Sequence, residues 1–352
     1  MTSGTVHAVR DHDVISAHES AAEKGSVFDV LRTIELKSSS GEFIEKNLIQ
    51  PVAISAGLTA ITLVLDGDCT GECSTVRQIQ GSTVWPLPTS QTPVTITDTH
   101  TWQRSSTSNV RDDIVLDQSF SLKAMINGQM TTTTKSNLGR PELKVRCDSE
   151  VLGYPGCVFS GYIANLTVDT AEYPVAASMY WILQEKLKNH PGSIKYGSPV
   201  HRLADTTKHK SNRDVMCDLR IAAFDPYPGR GTPGFPLPEM PEPSCDEYPF
   251  AAVRESGGMT LTSGSQCVQL YAHKVSGRWT IDFDPRYSLP KVVNGLWDNI
   301  CGRGTIPLDQ NRAAGGGVGG IVSKYRVLDN EPYYVRLPEV ESCGADTTCN
   351  VD

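Results

Sequence analysis

Between residues 27 and 145 the apolar positions come in short runs broken by polar, turn-forming stretches, a spacing that predicts strands. The candidate strands are 30–36, 52–65, 92–97, 114–123 and 143–147, with SSSGE, DGDCTGEC, PLPTSQTP and NLGRP between them as turns and loops. The stretch VLDQSFSLKAMINGQMTTTT alternates and carries Asn127-Gly128, a dipeptide that tolerates the positive φ a tight hairpin needs. Several strands at this spacing indicate a sandwich or barrel. Residues 1–25 are polar and read as a short arm. No cluster of catalytic residue types falls in 1–150, which reads as a β-rich accessory domain.

Past residue 150 the pattern changes. AEYPVAASMYWILQEKLKNHPG predicts a helix: Pro174 suits a first turn, Ala177, Tyr180, Trp181 and Leu187 make an apolar face, and Pro191-Gly192 stops it. HRLADTTKHKSNR, residues 201–213, holds Arg202, Lys208, Lys210 and Arg213 against one acid, Asp205, and in isolation reads as a solvated loop. Residues 225–244 contain seven prolines and exclude a regular element. A weak helical pattern opens at PLDQNRAAGGG and runs towards Tyr325, and EPYYVRLPEV closes the domain as a strand. The organisation expected is a second domain over 151–340 and an acidic, cysteine-containing tail over 341–352.

Composition narrows the class. The chain has 352 residues, 39% hydrophobic and 20% charged, which excludes a mostly disordered protein. Thirty Gly and 22 Pro argue against a helical bundle. The longest apolar stretch, 54–65, is broken by Ser, Gly and Thr and is too short to cross a bilayer as a helix. Ten cysteines without paired CxxC or HxxxH spacing fit disulfides in an oxidising compartment better than a metal centre. The sequon at Asn165 is compatible with export, although MTSGTVHAVRDHD has no apolar core of the kind a secretory leader carries. The net charge of −8 argues against nucleic-acid binding by the chain as a whole.

Candidate chemistry gathers near residue 246. Asp246 and Glu247 are adjacent carboxylates beside a Tyr-Pro, Glu255 follows within easy return distance, and Asn311 stands at a helix start. Converging oxygen donors suit a hard divalent cation. The same spacing also describes two surface acids in a turn and an asparagine that merely caps its helix.

CDEYPFA followed by Glu255 and Gly257-Gly258, then DQNRAAGGGVGG and a closing Tyr-Val strand, resembles the NucA/NucB-type secreted deoxyribonucleases over about residues 174–337. The resemblance implies an α+β protein: an N-terminal all-β, sandwich-like domain followed by a small ββα-metal-type nuclease domain with insertions. It implies a secreted, largely nonspecific endonuclease that hydrolyses DNA, with RNA a further substrate, using Mg²⁺ or Mn²⁺. Asp246 then matches the general base, Asn311 the metal-binding asparagine, Glu247 and Glu255 the acids that hold the ion or its waters, and Arg312 a phosphate contact. Arg202, Lys208, Lys210 and Arg213 become a phosphate-tracking run. Proximity of a metal to Asp246 implies a neutral to alkaline optimum.

Segment charges agree with this division. Residues 201–340 balance 16 basic against 16 acidic side chains, whereas 1–200 hold 16 against 21 and the tail adds three acids. The stretch between Gly258 and Asn311 exceeds that of compact family members and includes Cys267, His273, Trp279 and Cys301; His273 is a fallback base. Two other functions stay open at this point, a secreted disulfide-rich binding or surface protein with an inactive nuclease-like domain, and a nuclease toxin.

Overall fold

In the computed structural model the chain divides into two compact units, residues 1–162 and 163–352. The structure describes residues 5–9, 13–23, 26–53, 58–86, 92–103, 110–126, 129–132, 136–137, 144–151, 153–217, 242–341 and 343.

The described residues of the first unit form two antiparallel sheets. One orders its strands Thr5–Val9, Asp13–Glu23, Ser26–Leu36, Glu42–Ala53, Val94–Trp102 and Cys73–Gln80. The other runs Gly156–Phe159, Val145–Asp148, Arg111–Ile126, Leu58–Thr70 and Val84–Pro86, with Gln129–Thr132 and Ser136–Asn137 also on Arg111–Ile126. Alternation drives this arrangement. In Val94–Trp102 the side chains of Val94, Ile96, Asp98, His100 and Trp102 are buried and the four between them are not. Val30, Ile49, Val94 and Ile96 from one sheet pack with Ile61, Leu63 and Trp85 from the other. A second cluster joins Ile34, Phe43 and Trp102 to Ile114, Leu116 and Val145. Residues 13–23, expected as an arm, instead pair along their full length with Ser26–Leu36, from Asp13 opposite Leu36 to Glu23 opposite Ser26. Backbone pairing needs no apolar pattern. The Asn127-Gly128 turn lies outside the described residues, but the strands flanking it pair, Ile126 opposite Gln129.

The second unit holds a four-stranded sheet in the order Pro243–Tyr248, Gly302–Pro307, Val268–Val275, Arg278–Phe283. A three-stranded sheet places Pro332–Arg336 between Ala164–Thr167 and Val200–His201, and Val292–Val293 pairs with Leu296–Trp297. Its described residues also form three α-helices: α1 (Pro174–Lys186), α2 (Thr206–Cys217) and α3 (Leu308–Tyr325). The core is built from Val175, Ala176, Met179, Tyr180 and Leu183 of α1 with Val268, Leu270 and Ile306 of the four-stranded sheet and Val318 and Ile321 of α3. Close approach of α1 depends on glycine. A Cβ on Gly304 would lie 2.6 Å from Met179 Sδ, and one on Gly302 would overlap Leu183.

The α+β class with a ββα-metal-type second domain is therefore corrected. The chain as a whole is predominantly β, with 22 strands against three α-helices among the described residues, and the second unit sets its three helices against several small sheets. The physical reason lies in the stretch between Gly258 and Asn311. The family resemblance makes it an insertion, yet it supplies three of the four strands of the main sheet. Residues 268–273 and all of Gly302–Pro307 are buried, so no alternation of apolar and polar residues betrays them.

Described disulfides join Cys69–Cys73, Cys147–Cys157, Cys217–Cys245 and Cys267–Cys301, and Cys343 is also disulfide-bonded. Most of the tail, including Cys349, lies outside the described residues. Among the described residues no helix is long and apolar enough to cross a membrane.

Candidate functional site

Asp246 and Glu247 close the strand Pro243–Tyr248, whose last three side chains are buried. Successive side chains leave a strand on opposite faces, so the two acids meet different helices. Asp246 sits opposite Gly304, the residue that lets α1 pack closely, and there the Tyr180 hydroxyl donates to Asp246 Oδ2 at 2.6 Å. The other oxygen, Oδ1, accepts the Glu247 backbone N–H at 3.0 Å. Each oxygen retains a lone pair. Tyr180 itself is held between Tyr248, stacked at 5.1 Å, and the edge of Phe250 at 5.2 Å.

Glu247 meets α2. The Cys217–Cys245 disulfide ties the last residue of α2 to the strand, and Arg213, one turn earlier, places its Nε 3.8 Å from Glu247 Oε1. Cys217 Sγ lies 3.4 Å from Glu247 Oε2. Both acids are nearly inaccessible, at 6% and 4% exposure. Burial, then the neighbouring Glu247 charge, pushes the Asp246 carboxyl up to about 7, despite the Tyr180 hydrogen bond. Burial also raises Glu247, against the opposing pull of Arg213. Burial and the Asp246 charge drive the Tyr180 phenol well above its ordinary value, so it stays a hydrogen-bond donor.

Asn311 lies in the first turns of α3. Its amide nitrogen donates to Cys245 O at 2.8 Å and Ser244 Oγ at 3.1 Å, which leaves the amide oxygen as the group available for a ligand. The preceding residue, Gln310, accepts the backbone N–H groups of Val175 and Ala176 and so caps α1. One side chain thus fixes α1 relative to α3 beside the acids.

A cleft of about 300 Å³ brings together Asp246, Glu247, Asn311, Arg202 and Arg213 of the residues singled out in the sequence, with His209 beside them. The others are not among its lining residues. Glu255 accepts the backbone N–H of His201 at 2.9 Å and pairs with its ring at 2.6 Å. Arg312, Lys208 and Lys210 are exposed. His273 is buried against Asp282 at 2.5 Å. The basic run is helical rather than a solvated loop: Asp205 caps α2 by accepting from Thr207 and Lys208, and Asn212 and Met216 bury a narrow stripe. Sequence reasoning missed Tyr180, which carries no signal beyond a hydroxyl on an otherwise apolar helix face.

Two further groups of ligand-type side chains occur among the described residues, Cys69/Cys73/His100 and Glu45/Asp98/His100. The first is committed to a disulfide. The acids of the second are already neutralised, Glu45 by Arg32 at 2.7 Å and Asp98 by Arg77 at 2.8 Å.

Comparison with known proteins adds little. No family model matches the chain, and no curated protein matches it. Among solved structures it is similar to the GAE domain of GGA2p from Saccharomyces cerevisiae, at 11% identity over 40% of this chain and 98% of that one, with a TM-score of 0.21. At that level the similarity identifies neither fold nor function.

Proposed function

We propose that the cleft hydrolyses phosphodiester bonds of nucleic acid, DNA in the first place, with a divalent cation, and that the protein works outside the cell. The observation that carries this reading is the buried Asp246–Glu247 pair sharing a cleft with the Asn311 amide and with Arg202 and Arg213. The likeness of CDEYPFA and DQNRAAGGGVGG to secreted NucA/NucB-type deoxyribonucleases supports it, and the disulfides support an oxidising compartment.

The donor set fits a hard cation. Two desolvated carboxylates face one partial counter-charge, Arg213 at 3.8 Å, and they and the Asn311 amide offer oxygen donors. Glu247 and the Asn311 amide oxygen would hold Mg²⁺ or Mn²⁺. When bound, the ion supplies positive charge for the phosphate oxygens.

The remaining chemistry belongs to the chain. Asp246, oriented by the Tyr180 hydroxyl and the Glu247 N–H, accepts the proton of the attacking water. Arg202 and Arg213 hold the phosphate at the mouth of the cleft. Exposed Lys208 and Lys210 on α2 extend the positive surface along the strand of nucleic acid.

Incubating the protein with supercoiled plasmid and Mg²⁺ or Mn²⁺, with and without chelator, tests the reading. Wild type nicks and linearises the plasmid, chelator stops it, and Asp246→Ala abolishes it. Inertness of the wild type with both ions, or cutting by Asp246→Ala at the wild-type rate, defeats the proposal.

A further inference from the structure

The first unit contains a chain of polar groups that the phosphodiester reading does not use. Cys69 Sγ lies 3.2 Å from Thr75 Oγ1, Thr75 Oγ1 lies 2.8 Å from His100 Nδ1, and His100 Nε2 lies 3.3 Å from Glu45 Oε2. His100 and Glu45 are fully buried within the unit. Arg32 and Asn47 fix the other Glu45 oxygen, at 2.7 and 3.1 Å. The carboxylate accepts the Nε2 proton, so Nδ1 is the acceptor that faces the Thr75 hydroxyl. A sulfur, a hydroxyl, an imidazole and a carboxylate in sequence form a proton relay that ends on a cysteine.

We propose that Cys69–Cys73 is an exchange-active disulfide, opened and closed by external thiols, with Thr75, His100 and Glu45 as its positioning and proton-relay residues. Accessibility selects the sulfur that is attacked. Cys73 is half-buried, whereas Cys69 is buried and abuts Thr75. An external thiolate bonds to Cys73 Sγ, the Cys69–Cys73 bond breaks, and Cys69 Sγ leaves with the electron pair. The proton that the incoming thiol has lost is taken up through the half-buried Thr75 hydroxyl onto His100 Nδ1. As the disulfide breaks, Thr75 passes its own hydroxyl proton to Cys69 Sγ and takes the Nδ1 proton back, which leaves His100 neutral. The balance is one thiol plus the disulfide giving a mixed disulfide on Cys73 and a thiol on Cys69. Closure runs the same path backwards: Thr75 takes the Cys69 proton, hands its own to His100 Nδ1, and the Cys69 thiolate expels the external thiol.

The other described disulfides lack this equipment. Cys147, Cys157, Cys267 and Cys301 are all buried. Cys245 is half-buried, but opening that bridge would create a Cys217 thiolate 3.4 Å from the Glu247 carboxylate, an unfavourable neighbour for a second negative charge. Cys69–Cys73 also closes the shortest loop, with a sequence separation of 4 against 10, 28 and 34, so opening it relaxes the fold least.

The test uses the full oxidised chain under native conditions with glutathione as the thiol, alkylation at timed intervals and peptide mass spectrometry. The expected result is glutathione on Cys73 and alkylation of Cys69 before any other described disulfide opens. Thr75→Val slows this step by at least about tenfold, Thr75→Ser restores it, and the other bridges keep their rates. Glutathione on Cys69 in the wild type overturns the proposal, as does opening no faster than Cys217–Cys245. So does a Thr75→Val rate equal to wild type. The wild-type outcome stands even if a variant fails to fold.

Discussion

The Tyr180 hydroxyl donates to Asp246 across 2.6 Å, from the middle of α1 to the end of a strand 66 positions later. Both groups are buried, so this bond is the fixed point from which the acid pair is aimed. Tyr180→Phe keeps the ring packing against Tyr248 and Phe250 but leaves a buried carboxylate short of one donor. The expected loss is about 1–3 kcal/mol of stability, read by urea unfolding, together with a fall in plasmid cleavage and little change in DNA affinity. Unchanged stability and cleavage would remove Tyr180 from the site.

Gly302 makes room for Leu183 of α1. Gly302→Ala is expected to destabilise the protein by about 1–3 kcal/mol through overpacking. Leu183→Ala alone opens a cavity in a fully buried position and also destabilises. The double variant is expected to be more stable than the sum of the two losses predicts, because the new methyl occupies vacated space. Thermal and urea unfolding of all four proteins close the cycle; simple additivity would mean that α1 does not rest on Gly302.

Arg213 and Lys210 share α2 but differ in position, since only Arg213 lines the cleft. In an Asp246→Ala background, Arg213→Gln is expected to weaken DNA binding and reduce the salt slope by about one unit. Lys210→Gln is expected to do less. Titrations at several salt concentrations distinguish the two, and equal effects would argue for binding along the outside of α2.

Glu45 contributes to the pH dependence of the first unit. Burial alone raises its carboxyl, but the His100 hydrogen bond, the Arg32 charge and Asn47 together outweigh burial and hold it below the usual value of 4.5. A group lowered on folding contributes stability that is present above its unfolded value and is lost as pH falls through the folded one. Glu45→Gln is therefore expected to be less stable than wild type at neutral pH and to show a shallower loss of stability as pH falls below the ordinary carboxylate value. Acid unfolding of the two proteins followed by circular dichroism reads the difference.

Much of the local structure was legible where one chemical signal was strong. Pro174 and the Ala177–Tyr180–Trp181 face located α1, and the apolar runs near 30–36 and 92–97 fell on strands. The main sheet of the second unit was not legible, because residues 268–273 and Gly302–Pro307 are buried on both faces and so do not alternate. The α2 helix was hidden for the opposite reason: it buries little beyond Asn212, Met216 and Cys217, and its start depends on the Asp205 cap. At the candidate site, Asp246, Glu247 and Asn311 stood out as a cluster of oxygen donors. Glu255 stood out equally, yet its carboxylate is occupied by His201. Composition cannot distinguish a carboxylate that faces a cleft from one that has already found its cation.

The Cys217–Cys245 bridge has a consequence for the integrity of the molecule. It spans 28 positions and encloses the proline-rich stretch between α2 and the acid-bearing strand. A protease that cuts anywhere inside that loop produces two chains, but the sulfur–sulfur bond keeps them one molecule, with Arg213 still tethered beside Glu247. Nicked protein would run as a single species on a non-reducing gel and as two fragments after reduction, so a clipped sample retains its site for as long as the bridge survives.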